Sequence, residues 1–194
     1  MLSSRSLKCL VLTGALLAAG CDRQSEGESQ PQASQAPAET AATAEVASKK
    51  LDRSHKGDPM PVITLVDNTG ETLDLASFRG KPLLINLWAT WCAPCIEEMP
   101  TLDALIARED ETGVAVLPIS QDMGQPDKAV EILRRRKLDH IQPWVDDNGD
   151  LGFQYGGNLP VTVLFDSKGK EVWRYIGGND WTSPDALKLI AEAK

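Results

Sequence analysis

The chain has 194 residues, with 20 basic and 28 acidic side chains and a net charge of −8 at neutral pH. An acidic chain without basic residues interleaved with aromatic ones argues against nucleic acid as a partner. Its one basic run, residues 134–137, falls at the end of a predicted helix, where cations complement the helix dipole. We therefore expect that run to be a solvated helix end rather than a docking patch.

The N-terminus resembles the signal of bacterial lipoproteins. Its first eight residues include two basic side chains, Arg5 and Lys8, and no acidic one, and residues 9–19 form an apolar run too short to span a bilayer permanently. The small residues before Cys21 resemble a lipobox, in which the cysteine is acylated and becomes the new N-terminus. We expect a signal peptide over residues 1–20 and a lipid anchor at Cys21, the alternatives being an ordinary cleaved signal or an uncleaved anchor. Asp22 resembles the signal that retains lipoproteins in the Gram-negative inner membrane, which predicts the periplasmic face.

After the anchor the chain is poor in large apolar residues and rich in Gln, Ser, Ala, Pro, Glu and Thr. Such a segment buries too little surface to offset its ordering entropy, so we predict disorder. A flexible coil of roughly 30 residues reaches about 30 Å on average. We assign residues 21–55 to the lipid anchor and linker, and residues 56–194 to one domain.

Within the domain, strands and helices alternate first and are followed by a hairpin and a last helix. Residues 61–66 and 71–75 predict an N-terminal hairpin, and the apolar run 83–88 predicts a strand covered on both faces. This order predicts an α/β fold, a mixed central sheet flanked by helices, with an N-terminal β-hairpin extension. The later predicted elements are a helix over 93–108 kinked at Pro100, a strand over 114–120, a helix over 126–136, a short strand over 142–145, a short helix over 149–154, strands over 161–165 and 171–176, and a helix over 183–193.

Of the four cysteines, two remain available after the predicted processing. Cys9 leaves with the signal and Cys21 carries the lipid, so the mature chain keeps Cys92 and Cys95. Two thiols so close in sequence cannot staple a large fold and are more plausibly reactive. The alternatives are half of a zinc site, although the two histidines are far apart in sequence, and a structural disulfide, whose small loop would contribute little.

The motif at residues 91–95 reads Trp-Cys-Ala-Pro-Cys and lies between a predicted strand and a predicted helix, as in thioredoxins. At that junction Cys92 is the helix N-cap, where free N–H groups and the helix dipole favour a thiolate. Cys95 lies one turn further and is placed to attack a mixed disulfide. Between them, Ala93 and Pro94 should help to set the reduction potential and contact the substrate.

The stretch 86–100, Asn-Leu-Trp-Ala-Thr-Trp-Cys-Ala-Pro-Cys-Ile-Glu-Glu-Met-Pro, resembles the TlpA-like thiol–disulfide reductases. These are membrane-anchored thioredoxins related to the ResA-type and CcmG-type proteins of cytochrome maturation. The resemblance extends to residues 80–82, 159–166 and 180–190 and covers about residues 60–194. It implies a thioredoxin-like fold for the whole domain.

By this resemblance Pro160 is the cis-proline that faces the disulfide, where its ring covers the cysteines and it has no N–H to offer. Leu159 would pair its backbone with an incoming peptide as an added strand. From its place beside Cys92, we expect Trp91 to shield one face of the site and to form part of the docking surface. An edge-strand or turn proline is the alternative for Pro160.

The same resemblance concerns two further residues near the cysteines. Asn86 stands where cytoplasmic thioredoxins have a buried aspartate, and an amide cannot exchange protons near neutral pH. Glu98 matches the glutamate that ResA-type proteins place beside the active site. We expect Glu98 to handle the proton when Cys95 attacks, the alternative being an exposed helix carboxylate.

The resemblance also implies a function. Such proteins take electrons from a CcdA- or DsbD-like membrane partner and reduce protein disulfides outside the cytoplasm, with no cofactor and no metal besides the redox-active Cys92–Cys95 disulfide. The clients are copper-site cysteines of cytochrome oxidase assembly factors or haem-binding cysteines of apocytochrome c.

Three other activities use a related fold or a related cysteine motif. A DsbA-like oxidant shares the motif but typically adds a helical insertion for which this chain has no room. A peroxiredoxin needs Thr or Ser three residues before its cysteine and Pro seven before it, where this chain has Ala89 and Ile85. A Sco-like copper chaperone uses a C-x-x-x-C motif, which is one residue longer than the spacing here.

Overall fold

The structure, a computed structural model, describes residues 50–194. The predicted signal peptide, Cys21 and most of the predicted linker lie outside these residues. The folded region begins before residue 56, because strand β1, Leu51–Asp52, pairs antiparallel with strand β7, Glu171–Ile176. Within residues 50–194, no helix has both the length and the hydropathy that crossing a bilayer requires.

The centre of the domain is a five-stranded mixed sheet. The spatial order of its strands is β1, β7, β6 (Val161–Phe165), β4 (Leu83–Trp88) and β5 (Ala115–Ser120). The last two strands in this order, β4 and the edge strand β5, are parallel, and the other pairings are antiparallel. A separate antiparallel hairpin precedes them in the chain. That hairpin consists of β2, Thr64–Val66, and β3, Thr72–Asp74.

Within residues 50–194, five α-helices connect and cover the strands. The first of them follows β4 and begins at the Cys-Ala-Pro-Cys motif, and the last is capped by Ser183, whose hydroxyl accepts the N–H of Ala186 at 3.2 Å. They are α1 Ala93–Ile106, α2 Glu109–Thr112, α3 Pro126–Arg136, α4 Asp150–Gln154 and α5 Pro184–Ile190, with 3-10 turns at Leu75–Phe78 and Ala191–Ala193.

The sheet separates two apolar cores, and alternate residues of β4 point into each. Leu84 and Trp88 lie in the core formed with α1, α3 and α5, whereas Leu83, Ile85 and Leu87 lie in the core beneath the hairpin and α4. The period-two alternation of a strand produces this division. The same alternation directs the polar side chain at position 86 toward α1.

The predicted elements are present except for the strand over 142–145, and several of them are shorter than predicted. The helix predicted to reach residue 108 ends at Ile106 and continues unbroken through Pro100. The strand predicted over 142–145 is reduced to single bridges from Val145 to Val66 and Ser120, since Pro143 has no N–H to donate to a ladder. Strand β2 is also shorter than predicted. The mixed sheet flanked by helices, with its N-terminal hairpin, is confirmed.

Candidate redox site

The two cysteines of the motif form a disulfide at the first turn of α1. Cys92 is the N-cap of the helix, in extended conformation, and its Sγ accepts the N–H of Cys95 at 3.3 Å. Cys92 keeps 6% of its surface exposed and Cys95 none. The pair is therefore asymmetric, because only Cys92 is within reach of a partner.

This position stabilises negative charge on Cys92 after reduction. The free N–H groups at a helix N-terminus and the helix dipole both favour an anion there. The hydrogen bond from Cys95 N–H already points at the Cys92 sulfur. Since the thiolate is the nucleophile in thiol–disulfide exchange, the structure provides the electrostatics that the sequence predicted for Cys92.

Asp122 holds the loop that leads into the motif and was not predicted from the sequence. This buried carboxylate accepts the backbone N–H of Thr90 at 2.9 Å, the Thr90 hydroxyl at 2.7 Å and the Ser120 hydroxyl at 2.7 Å. The sequence order could have predicted this role. Asp122 follows β5, and the carboxyl ends of the parallel strands β4 and β5 meet at one edge of the sheet, where the motif begins.

A second loop precedes β6. The peptide bond between Leu159 and Pro160 is cis. Pro160 is buried, and its carbonyl accepts the N–H of Gly177 at 2.8 Å. The N–H and carbonyl of Leu159 form no hydrogen bond with any residue in the range 50–194, while its side chain packs against the core that contains both cysteines.

Glu98 lies one turn beyond Cys95 on α1 and is buried, with 4% of its surface exposed. One carboxylate oxygen accepts the Asn86 side-chain N–H at 2.8 Å. The other accepts the Trp181 indole N–H at 2.9 Å and the Asn179 backbone N–H at 3.0 Å. The alternative of an exposed helix carboxylate is therefore wrong for Glu98, although it fits its exposed neighbour Glu97.

Burial raises the pKa of Glu98 from 4.5 to about 6, against the lowering effect of its three donors and of Lys50. Burial together with the Glu98 charge also raises the pKa of Tyr175. A cleft of about 640 Å³ borders Glu98 between Lys50, Tyr175 and Asn179. The Glu98 carboxylate, on the same helix as the cysteines, therefore borders a cleft that opens to solvent and has a pKa near neutrality.

Asn86 is suited to both protonation states of Glu98. Its side-chain N–H group donates to Glu98 and, at 2.9 Å, to the Thr162 hydroxyl oxygen, while its Oδ1 has no donor among the described residues. Turning the amide over would present Oδ1 to a protonated Glu98 and to the Thr162 hydroxyl. An aspartate at position 86 would instead add a second negative charge beside Glu98.

Trp181 fixes the second oxygen of Glu98 from a packed aromatic cluster, another feature that was not predicted. Its ring stacks on Trp173 at 6.3 Å between centroids and meets the edge of Tyr175 at 5.6 Å. The Trp173 indole N–H donates instead to the Leu189 carbonyl at 3.1 Å. No pattern in the sequence links Trp181 to Glu98, because they are 83 positions apart.

The predicted docking residues are distributed around the disulfide. Trp91 and Leu159 line one groove, whereas Pro94 borders the cleft beside Glu98. Ala93 is exposed between the two cysteines. Within residues 50–194, no three His, Cys, Asp or Glu side chains are grouped so that they could hold a metal ion.

Comparison with known proteins agrees with this geometry. The Redoxin family model matches residues 55–190. This chain belongs to the Redoxin family. It is 32% identical over 154 residues to the thiol:disulfide interchange protein DsbE of Vibrio cholerae, covering 75% of this chain and 81% of that protein. It is 30% identical over 124 residues to the thiol–disulfide oxidoreductase ResA of Bacillus thuringiensis, covering 63% of this chain and 70% of that protein.

Solved structures show the same fold. The thioredoxin domain of a thiol–disulfide oxidoreductase from Bacteroides vulgatus superposes with a TM-score of 0.58 at 23% identity, covering 71% of this chain and 96% of that one. A secreted Mycobacterium tuberculosis disulfide oxidoreductase gives a TM-score of 0.54 at 22% identity, covering 68% and 96%. The thioredoxin-like fold and the resemblance to ResA-type proteins are confirmed. With the Cys92–Cys95 disulfide, these relatives identify the chain as a thiol–disulfide oxidoreductase.

Proposed function

We propose that this protein is a membrane-tethered, extracytoplasmic reductase of specific protein disulfides. The observation that carries the proposal is the asymmetry of the cysteine pair. Cys92 is the partly exposed N-cap of α1, and Cys95 is fully buried behind it. This arrangement supports Cys92 as the nucleophile and Cys95 as the resolving cysteine.

In the reductive half-cycle, the Cys92 thiolate attacks one sulfur of a client disulfide, and the other client sulfur leaves as a thiolate. Cys95 then attacks the Cys92 sulfur, which breaks the mixed disulfide and releases the second client thiolate. Glu98, at a pKa of about 6, is ionised at neutral pH and accepts the Cys95 proton. Two electrons pass to the client, and the Cys92–Cys95 disulfide awaits re-reduction without any other cofactor.

Binding is assigned to the residues around the pair. Trp91 shields one side of Cys92, and Ala93 and Pro94 form the exposed first turn over which a client passes. The unpaired backbone of Leu159 would pair with the client chain as an added strand. The cis-proline Pro160 covers the cysteines from the facing loop.

The clients, the electron donor and the location are the finer parts of the proposal. We infer clients in cytochrome oxidase copper-site assembly or among apocytochromes c, and a CcdA- or DsbD-like membrane donor, from the resemblance to relatives named ResA and DsbE. We infer attachment to the periplasmic face of the inner membrane through a lipid on Cys21.

The tether makes a direct prediction. Cys21→Ser is expected to abolish the incorporation of radiolabelled palmitate into the protein, because the acylated side chain is lost. Cys9→Ser is the matched control and should be labelled like the unaltered protein. Equal labelling of both variants would contradict lipid attachment at Cys21.

The direction of electron flow is tested by the reduction potential of the Cys92–Cys95 couple. We expect a value nearer to that of thioredoxin, about −270 mV, than to that of DsbA, about −120 mV. Equilibration with glutathione buffers, followed by thiol alkylation and mass spectrometry, measures it. A value near that of DsbA would make the protein an oxidant, and a tight one-to-one copper complex of the reduced form would indicate a chaperone.

A further inference from the structure

The loop between β4 and α1 decides where the Cys92 sulfur lies. Residues 89–92 form a turn in which the N–H of Cys92 donates to the Ala89 carbonyl at 3.1 Å. The two residues inside the turn, Thr90 and Trp91, provide little apolar anchoring, since Thr90 is half-buried and Trp91 is 71% exposed. The position of this turn therefore depends on polar contacts.

Those contacts come from the loop that follows β5. The buried Asp122 carboxylate accepts both the N–H and the hydroxyl of Thr90. The Ser120 hydroxyl donates to the same carboxylate and accepts the Asp122 N–H at 3.1 Å, so the carboxylate is itself held in one orientation. Hydrogen bonds to an ionised acceptor are roughly twice as strong as neutral ones, and losing the acceptor would leave these donors unpaired.

The turn matters most in the reduced protein. In the oxidised protein the disulfide itself ties Cys92 to Cys95 and hence to α1. Reduction breaks that tie, and the stabilisation of an anion by a helix N-terminus falls off within the first turn. A turn that is free to move would carry the Cys92 sulfur away from the Cys95 N–H and from the helix N-terminus.

We propose that Asp122 is a positioning residue for the nucleophile. By holding Thr90, it keeps the reduced Cys92 sulfur at the N-terminus of α1, where the thiolate is stabilised. Asp122 acts through the turn, because within residues 50–194 its side-chain hydrogen bonds go to Thr90 and Ser120 and not to either cysteine. This inference rests on the proposed function, which makes Cys92 the nucleophile, and adds the residue that keeps Cys92 reactive.

The test compares Asp122→Asn with Asp122→Ala in the full, reduced chain. An amide can keep every hydrogen bond without the charge: its oxygen accepts the Thr90 N–H and the Ser120 hydroxyl, and its nitrogen donates to the Thr90 hydroxyl oxygen. An alanine keeps none of them. The rate at which iodoacetamide alkylates Cys92 is measured between about pH 4 and pH 9, and peptide mass spectrometry assigns the alkylated cysteine.

We expect Asp122→Ala to move the midpoint of this pH profile upward by about one unit, because the thiolate loses stabilisation by the helix N-terminus. Asp122→Asn should not raise the midpoint. Loss of the Asp122 charge alone would have the opposite effect, since a nearby negative charge disfavours a thiolate and its removal lowers the midpoint. The direction of the shift therefore separates positioning from an effect of charge.

Asp103→Ala is the matched control. Asp103 lies further along α1, accepts the N–H of His140 at 2.8 Å and that of Ile141 at 3.2 Å, and so anchors a different loop. Its loss should lower the free energy of unfolding, as Asp122→Ala does, and leave the Cys92 midpoint in place. Equal shifts in the two variants would attribute the effect to a general loss of stability and overturn the inference.

Thr90→Val tests the same contact from the other side. It removes the hydroxyl that donates to Asp122 and keeps the Thr90 N–H bond. The midpoint should rise by less than in Asp122→Ala, and the double variant should show no further rise, because Asp122 acts through Thr90. If Asp122→Ala does not fold, an unchanged midpoint in Thr90→Val overturns the inference.

Two further results would overturn it: an Asp122→Ala midpoint that stays or falls, or an Asp122→Asn midpoint that rises as far as that of Asp122→Ala. The failure of the proposed function has a different signature. In that case iodoacetamide would react first with Cys95 in the unaltered protein, whichever residue occupies position 122.

Discussion

Cys95→Ser is expected to hold its client as a stable mixed disulfide through Cys92 and to lose turnover by about 10³-fold or more. The reason is the asymmetry of the pair, since Cys92 is the exposed N-cap and Cys95 is buried behind it. Without the second sulfur, nothing within the protein can release the client. Purification under acid quench, followed by non-reducing electrophoresis and mass spectrometry, identifies the trapped protein.

The matched control is Cys92→Ser, which changes the other sulfur of the same pair and should trap nothing. Both variants lose the internal disulfide equally, so any difference between them reports the order of attack. Trapping through Cys95 in the Cys92→Ser variant, with none in Cys95→Ser, would reverse the assigned roles.

Glu98→Gln is expected to slow the resolving step by roughly 10²-fold at neutral pH, because a general base contributes at least on that scale. In the unaltered protein the rate of this step should fall as pH drops through about 6, where Glu98 becomes protonated and cannot accept the Cys95 proton. Single-turnover kinetics with a peptide disulfide between pH 5 and pH 8 measure both effects. An unchanged pH profile and unchanged thiol pKa values in Glu98→Gln would exclude the relay.

The ionisation of Glu98 should also make the free energy of unfolding depend on pH. Its pKa is raised in the folded state, from 4.5 to about 6, so its contribution favours folding below pH 4.5 and is lost as pH rises through about 6. The loss amounts to about 2 kcal/mol of unfolding free energy. Comparing denaturant unfolding of the protein with Glu98→Gln over this pH range isolates it from the other carboxylates.

Substitutions of the two stacked tryptophans test whether the pKa of Glu98 sets the pH profile of the resolving step. Trp181→Phe removes one donor to the Glu98 carboxylate, which should raise the pKa of Glu98 and move the midpoint of the pH profile upward by about one unit. Trp173→Phe makes the same change in the neighbouring ring, whose N–H donates to Leu189. It should leave that midpoint in place, so equal shifts in both variants would attribute the effect to packing.

Local patterns predicted much of this fold. Continuous apolar runs predicted β4 and β6 at their observed bounds, and α3 has the predicted bounds because Pro126 begins it and its amphipathic pattern continues to Arg136. The elements that were predicted incorrectly depend on pairing with residues far away in the sequence. Leu51–Asp52 is a strand only because β7 offers it an edge, and 142–145 is not a strand because Pro143 interrupts its pairing.

The sequence by itself determined the chemistry at Cys92 and Cys95, since two cysteines three positions apart at a strand-to-helix junction need no distant residue to become a polarised pair. It also determined the position of Glu98 one turn further along α1. Only the tertiary structure decided what surrounds them: the burial of Glu98, its donors Asn86 and Trp181, and the groove beside Trp91. Burial and cross-chain hydrogen bonds arise from elements that are far apart in sequence, so no local pattern encodes them.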